Sequence, residues 1–164
     1  PVITEKNEDY RAFVEALRYV NTTLAKQMAG DGEGATALFE VSVTGAACKE
    51  DARTLSKAVI TSNLTKAAIY GHDANWGRIL CAIGYSGVSF DPDRVDLCFE
   101  SAAGRIQIMR DGTALPYSEE EATKILSEPY VRAEIDIKSG DFEATAWGCD
   151  LTYDYVKINA DYRS

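Results

Sequence analysis

Residues 131–159, VRAEIDIKSGDFEATAWGCDLTYDYVKIN, alternate apolar and polar side chains over a long stretch. A period of two sends successive side chains to opposite faces of an extended strand. The end of the chain is thereby committed to a sheet. A turn at Lys138–Asp141 and a bend at DLTYD divide the stretch into three expected closing strands. They lack proline, so an interior position in the sheet is expected.

The other end of the chain obeys a different period. Tyr10, Phe13, Val14, Leu17, Leu24 and Met28 recur at helical spacing and predict an amphipathic helix over 8–29. Asn7 can cap it, Glu8 and Asp9 suit its positive end, and Gly30 stops it. ALFEVSVTG then returns to alternation, with Phe39, Val41 and Val43 inward and Glu40 and Ser42 toward solvent. KEDARTLSKAVITS and NWGRILCAIG predict helices, and KAAIYG reads as a short buried strand. RVDLCFE and RIQIMRDG are two strands joined by SAAG. SEEEATKILSEP opens on a capping box, Ser118 with Glu121, and ends before Pro129. Helices interleaved with strands, with no linker or repeat, predict an α/β or α+β layered sheet-and-helix domain spanning 1–164.

At 164 residues such a domain can bury roughly 70% of its unfolded surface. The net charge of −9 argues against nucleic acid and anionic membranes, which reward basic patches. No apolar run reaches the length of a membrane span, and no leader pattern opens the sequence. Pro1 in place of Met reads as a processing or fragment boundary; an N-terminal proline base is the far weaker reading. Cys48, Cys81, Cys98 and Cys149 lie far apart, which fits a reduced cytosolic setting. His72 is the only histidine, so neither a metal site nor a paired-histidine mechanism is expected.

Three stretches could carry chemistry. In DGEGAT, Glu33 stands between two glycines, which let a backbone approach a ligand closely. Its carboxylate either meets a cationic group or is a solvated turn residue, and residue chemistry alone favours the turn. No Lys-Ser/Thr follows to make a phosphate cradle. YGHDANWGRI gathers His72, Asp73, Asn75, Trp76 and Arg78; the preferred reading is structural, with Asp73 or Asn75 capping a helix and Trp76 anchoring the core. The closing TYDYVKINADYRS is either a plain strand or a tail that delivers Asn159 and Ser164 into a cleft. Several of Trp147, Tyr153, Tyr155 and Ile158 are expected to be buried and to hold the end rigid. Residue chemistry leaves both readings open.

DGEGAT, NWGRI, FDPDRVD and above all ATAWGCDLTYDYVKINADY resemble the ornithine acetyltransferase family, the bifunctional glutamate N-acetyltransferases of arginine biosynthesis. The resemblance runs from the first helix to the last residue. It implies a precursor that cleaves itself into α and β chains, with this sequence as the later part of β. The threonine that begins β and acts as nucleophile would lie upstream, and the oxyanion donors in the α chain. No catalytic residue is therefore expected here, and Thr4, Thr22 and Thr23 do not replace the missing one.

The implied reaction moves an acetyl group from N-acetylornithine to glutamate through an acetyl-threonine, without metal or bound cofactor; some members also accept acetyl-CoA. By motif, the substrate contacts fall on Glu33, Asn159 and Ser164. The implied partners are the α chain and the upstream β segment, in an α2β2 assembly in the cytoplasm. Ala74 departs from the family's Asp-Pro before Asn-Trp and puts any role of Asp73 in doubt. A non-catalytic amino-acid-binding or interaction module, or a relative in a secondary pathway, stays open beside this reading.

Overall fold

The computed structural model describes residues 2–161; Pro1 and residues 162–164, Ser164 among them, lie outside the described residues. Thirteen short stretches of chain build one six-stranded sheet and the helices around it. They are α1 (Glu8–Gly30), β1 (Leu38–Ala46), α2 (Lys49–Thr61), α3 (Asn63–Tyr70), α4 (Trp76–Gly84), a 3-10 turn (Pro92–Arg94), β2 (Asp96–Ser101), β3 (Gly104–Arg110), β4 (Thr113–Ala114), α5 (Glu119–Leu126), β5 (Tyr130–Asp136), β6 (Phe142–Cys149) and α6 (Tyr153–Asp161). The strand order is β4-β3-β2-β5-β1-β6. β1 and β5 run parallel at its centre, and the remaining pairs are antiparallel. This is the layered α/β architecture expected from the interleaved periods.

The alternation decides which face is which. Phe39, Val41 and Val43 of β1, Leu97 and Phe99 of β2, and Val131, Ala133 and Ile135 of β5 are all buried. α2 packs along β1 and β6, while α5 packs along β2 and β3. Leu55, Val59, Ile79, Ile83, Ile125 and Leu126 bring the helical side of that core. On the opposite face stand Glu40, Ser42, Cys98, Arg132 and Glu134, and α1 reaches only the β1–β6 end of it. α1 is capped as expected, Asn7 accepting from the Tyr10 amide at 3.0 Å. None of its residues is fully buried, and Phe13, Leu17, Leu24 and Met28 are exposed.

Three expectations fail here for identifiable reasons. KAAIYG is helical, within α3. Ser62 both ends α2 and caps α3, accepting from the Thr65 amide, and the alanines favour the helix. The third closing strand is also a helix, α6. Cys149 pairs with Leu38, the first residue of β1; the Asp150 amide still donates to the Ala37 carbonyl at 3.2 Å, but the Leu151 amide turns to the Lys66 carbonyl of α3 and leaves the sheet. The Thr152 hydroxyl then accepts from the Tyr155 amide and starts the helix. β6, finally, pairs only with β1 and lies at the sheet edge, not in its interior.

Candidate functional site

Glu33 lies in the loop between α1 and β1, and Asn159 in the last turn of α6. The fold brings these distant residues together: the Asn159 amide donates to Glu33 Oε2 at 2.7 Å. The same amide nitrogen donates to the Tyr155 carbonyl one turn back, at 2.9 Å, which fixes its direction along the helix. Both side chains are exposed, so the Glu33 carboxylate keeps lone pairs open for a further donor. Ser164 lies outside the described residues.

Close approach of the loop to α6 explains the glycines. Gly34 has φ of 68°, and a Cβ there would lie 2.9 Å from the Tyr155 amide nitrogen. A Cβ on Gly32 would lie 2.5 Å from Cys149 Sγ. These glycines let the loop press on β6 and α6. Two buried polar side chains, missed at the level of sequence, complete the junction. Asp150 accepts from the Thr36 amide at 2.9 Å, the Ala37 amide at 3.3 Å and the Thr36 hydroxyl. The Thr152 hydroxyl donates to the Gly34 carbonyl at 2.7 Å while capping α6. Their only sequence signal was a pair of polar residues in a bend.

The expected burial of the tail is not found. Tyr153 is 80% exposed, Tyr155 and Ile158 are exposed, and Trp147 is half-buried. Tyr153 meets the edge of Tyr70 with centroids 5.5 Å apart. Their neighbourhood is a hollow of about 370 Å³ lined by Tyr70, Leu151, Tyr153 and Val156. Hydrogen bonds and glycine contacts, not an aromatic core, hold this end in place.

In the His72–Arg78 junction the capping expectation is met at Asn75. Asn75 accepts from the Arg78 amide at 3.1 Å and donates to Asp73 at 2.9 Å, so it is the cap of α4. Ala74 is buried, whereas Trp76 is 40% exposed and does not anchor the core as expected.

A second carboxylate corrects the expectation that Glu40 faces solvent. Glu40 is 4% exposed. Arg132 and Trp147 flank it in register on β5 and β6. It accepts from Arg132 Nε at 2.8 Å, from the Tyr130 hydroxyl at 2.5 Å and from the Trp147 indole. Lys26 of α1 approaches at 3.0 Å and lies over the Tyr130 and Trp147 rings. Burial alone would raise the Glu40 pKa. The donors from Tyr130, Trp147 and Lys26, with the Arg132 charge, outweigh it and hold the group below the usual carboxylate range. A polar concavity of about 430 Å³ on the same sheet face contains Asp96, Arg105 and Glu134. Arg105 meets Glu134 there at 2.8 Å and Asp96 meets Lys138 at 2.7 Å, while Arg110 donates to Gln107 at 2.6 Å and Asp136 accepts from the Lys138 amide at 3.0 Å. Among the described residues no cluster of three His, Cys, Asp or Glu could hold a metal ion, and no helix is long and apolar enough to cross a membrane.

Comparison with known proteins finds relatives along the described chain. The ArgJ family model matches residues 2–164. The arginine biosynthesis bifunctional protein ArgJ 1 of Clostridium acetobutylicum is 52% identical over 163 residues, covering 99% of this chain and 40% of that protein. The ArgJ protein of Symbiobacterium thermophilum is 54% identical over 164 residues, covering 100% of this chain and 40% of its own length. The crystal structure of the ArgJ protein from Bacillus halodurans superposes with a TM-score of 0.92 at 45% identity, over 99% of this chain and 75% of that one. The chain thus spans about two fifths of the length of these curated relatives.

Proposed function

This chain belongs to the ArgJ family, and from that premise we propose that it is the later part of the β chain of an acetyltransferase of arginine biosynthesis. The enzyme moves the acetyl group of N-acetylornithine to glutamate. The nucleophilic threonine and the oxyanion donors lie in the portion of the longer protein that this chain does not span. What this chain supplies is a wall of the substrate site, built from Glu33, Asn159 and Ser164. The observation that carries the reading is the Asn159–Glu33 hydrogen bond at 2.7 Å, which joins residues of two distant motifs of the same resemblance.

The chemistry follows from acyl transfer. The threonine hydroxyl attacks the acetyl carbonyl carbon while a base, its own amine, takes the proton. Donors from the α chain stabilise the tetrahedral oxyanion. The carbon–nitrogen bond breaks as the base passes that proton to the departing nitrogen, ornithine leaves, and the glutamate amine attacks the acetyl ester, losing a proton through the same base to the released threonine oxygen. Glu33 holds an ammonium group of the substrate by a charge-assisted hydrogen bond. Asn159 has both amide N–H groups engaged, with Glu33 and the Tyr155 carbonyl, so it exchanges one of them to donate to the substrate carboxylate without adding charge, and Ser164 adds a hydroxyl. Acetyl-CoA as an alternative donor, an α2β2 assembly and a cytoplasmic site of action complete the proposal.

The test is intact mass spectrometry of the full-length processed protein after addition of N-acetylornithine. An acetyl adduct on a β-chain peptide preceding this chain is expected. Persistent absence of an adduct, with no acetyl transfer to glutamate, rejects the reading.

A further inference from the structure

We propose that Thr152 is a positioning residue that couples the Glu33 loop to the helix carrying Asn159. The inference rests on the assignment of Glu33 and Asn159 to the substrate site. Thr152 is 3% exposed, and its one hydroxyl is used in both directions. It donates to the Gly34 carbonyl, next to Glu33, at 2.7 Å. It accepts from the Tyr155 amide at 3.1 Å and so sets the first turn of α6.

Two glycine contacts and Asp150 leave the loop little other freedom. The absent Cβ of Gly34 lets the loop backbone lie against Tyr155, while Asp150 pins the far side of the loop through Thr36 and Ala37. The Leu151 amide donates to the Lys66 carbonyl at 3.2 Å, which anchors the segment before α6 to α3. Between these anchors, the Thr152–Gly34 bond is the described polar link from α6's cap to the loop beside Glu33. An ordinary helix cap needs only an acceptor. The donation to Gly34 is the surplus, and its consequence is a fixed Glu33–Asn159 spacing.

The test uses the full-length protein with Thr152→Val, Thr152→Ser and Thr152→Asp, each alone and with Glu33→Gln. Valine keeps the shape and removes both bonds, serine keeps both, and an ionised aspartate keeps the cap acceptor but cannot donate to Gly34. Expected for Val and Asp is a rise in KM for N-acetylornithine of about three- to tenfold with little change in kcat, the worth of one hydrogen bond. Serine restores the wild-type value. In the Glu33→Gln background the added effect shrinks below about twofold, because coupled residues are not additive.

Hydrogen exchange supplies a reading that does not need substrate. With Thr152→Asp, residues 32–36 exchange faster while the first turn of α6 stays protected. Undisturbed exchange in 32–36, or undiminished multiplication of the two KM effects, overturns the proposal. Should Glu33→Gln alone leave both substrates' kinetics unchanged, the site assignment falls, and the exchange comparison then decides the coupling by itself.

Discussion

Glu33 and Glu40 are separated by only seven positions, yet the fold treats them in opposite ways. Glu40 is buried and meets donors from Lys26, Tyr130, Arg132 and Trp147. Glu33 is exposed and meets Asn159. A carboxylate surrounded by donors has spent its lone pairs on the protein, so it can organise a sheet face but bind little else. A carboxylate with one neutral donor retains its charge for a ligand. The contrast teaches that unspent hydrogen-bonding capacity, not burial or the degree of pKa perturbation, is what makes Glu33 the proposed site residue of the two.

The largest effect should come from breaking the closed cluster. Glu40→Gln places an amide NH2 among groups that are themselves donors, takes the carboxylate from Lys26, and leaves Arg132 only the longer pairs with Glu100 and Glu134. Removing one partner from a buried ion pair costs about 3–5 kcal/mol. Lys26 and Arg132 are each about one-third exposed and can rehydrate, so the lower end is expected. Urea denaturation should show it. Glu33→Gln under the same conditions should change stability by less than about 0.5 kcal/mol, as for an exposed residue. Equal losses for the two would erase the distinction.

The reciprocal effect is on substrate. On the proposed reading, Glu33→Gln removes a charge-assisted hydrogen bond worth roughly 1.5–3 kcal/mol, which is about ten- to a hundredfold in affinity. Titration calorimetry with the full-length protein should show this fall with the fold intact. Unchanged affinity would make Glu33 a turn residue.

A smaller effect separates donors within the closed cluster. Trp147→Phe keeps the ring that lies beside Lys26 and removes the indole N–H to Glu40. Three other donors remain, so the loss should be about 1–1.5 kcal/mol. A loss as large as that of Glu40→Gln would mean that the indole, not the cationic pair, organises this face.

Local pattern made much of the fold legible. The three- and four-residue spacing from Tyr10 to Met28 gave α1, and Ser118 with Glu121 marked the start of α5. The SAAG hairpin lies between β2 and β3. Local pattern failed where a cap or a turn away from the sheet decided the outcome, at Ser62 for α3 and at Thr152 for α6. It failed again at Glu40, because polar alternation says which face a residue takes but not whether α1 covers that face. Glu33 and Asn159 were named through resemblance, and their contact is a product of the fold. Asp150 and Thr152 act through bonds to residues over a hundred positions away, which no local window reveals.

The smallest effect expected is the acid dependence of stability, and it sharpens what the closed cluster contributes. Burial raises the Glu40 pKa, and its donors lower it by more, so the folded value lies below the ordinary 4.5. The unfolded chain therefore binds this proton first as pH falls. The contribution of Glu40 is full above the ordinary value and is lost as pH descends through the lower folded value. Asp96 behaves in the same sense from its ordinary 3.8, held down against burial by Lys138 and by the Asp111 amide. Stability measured by urea denaturation from pH 6 downward should thus decline below about pH 4.5 in the wild type. Glu40→Gln, compared with its own value at pH 6, should decline less steeply, and the slope that remains should shrink further in Glu40→Gln with Asp96→Asn. An undiminished acid slope in Glu40→Gln would show that the four donors stabilise the protonated and ionised forms alike, and the closed cluster would then owe its stability to packing around the Trp147 and Tyr130 rings instead of to charge.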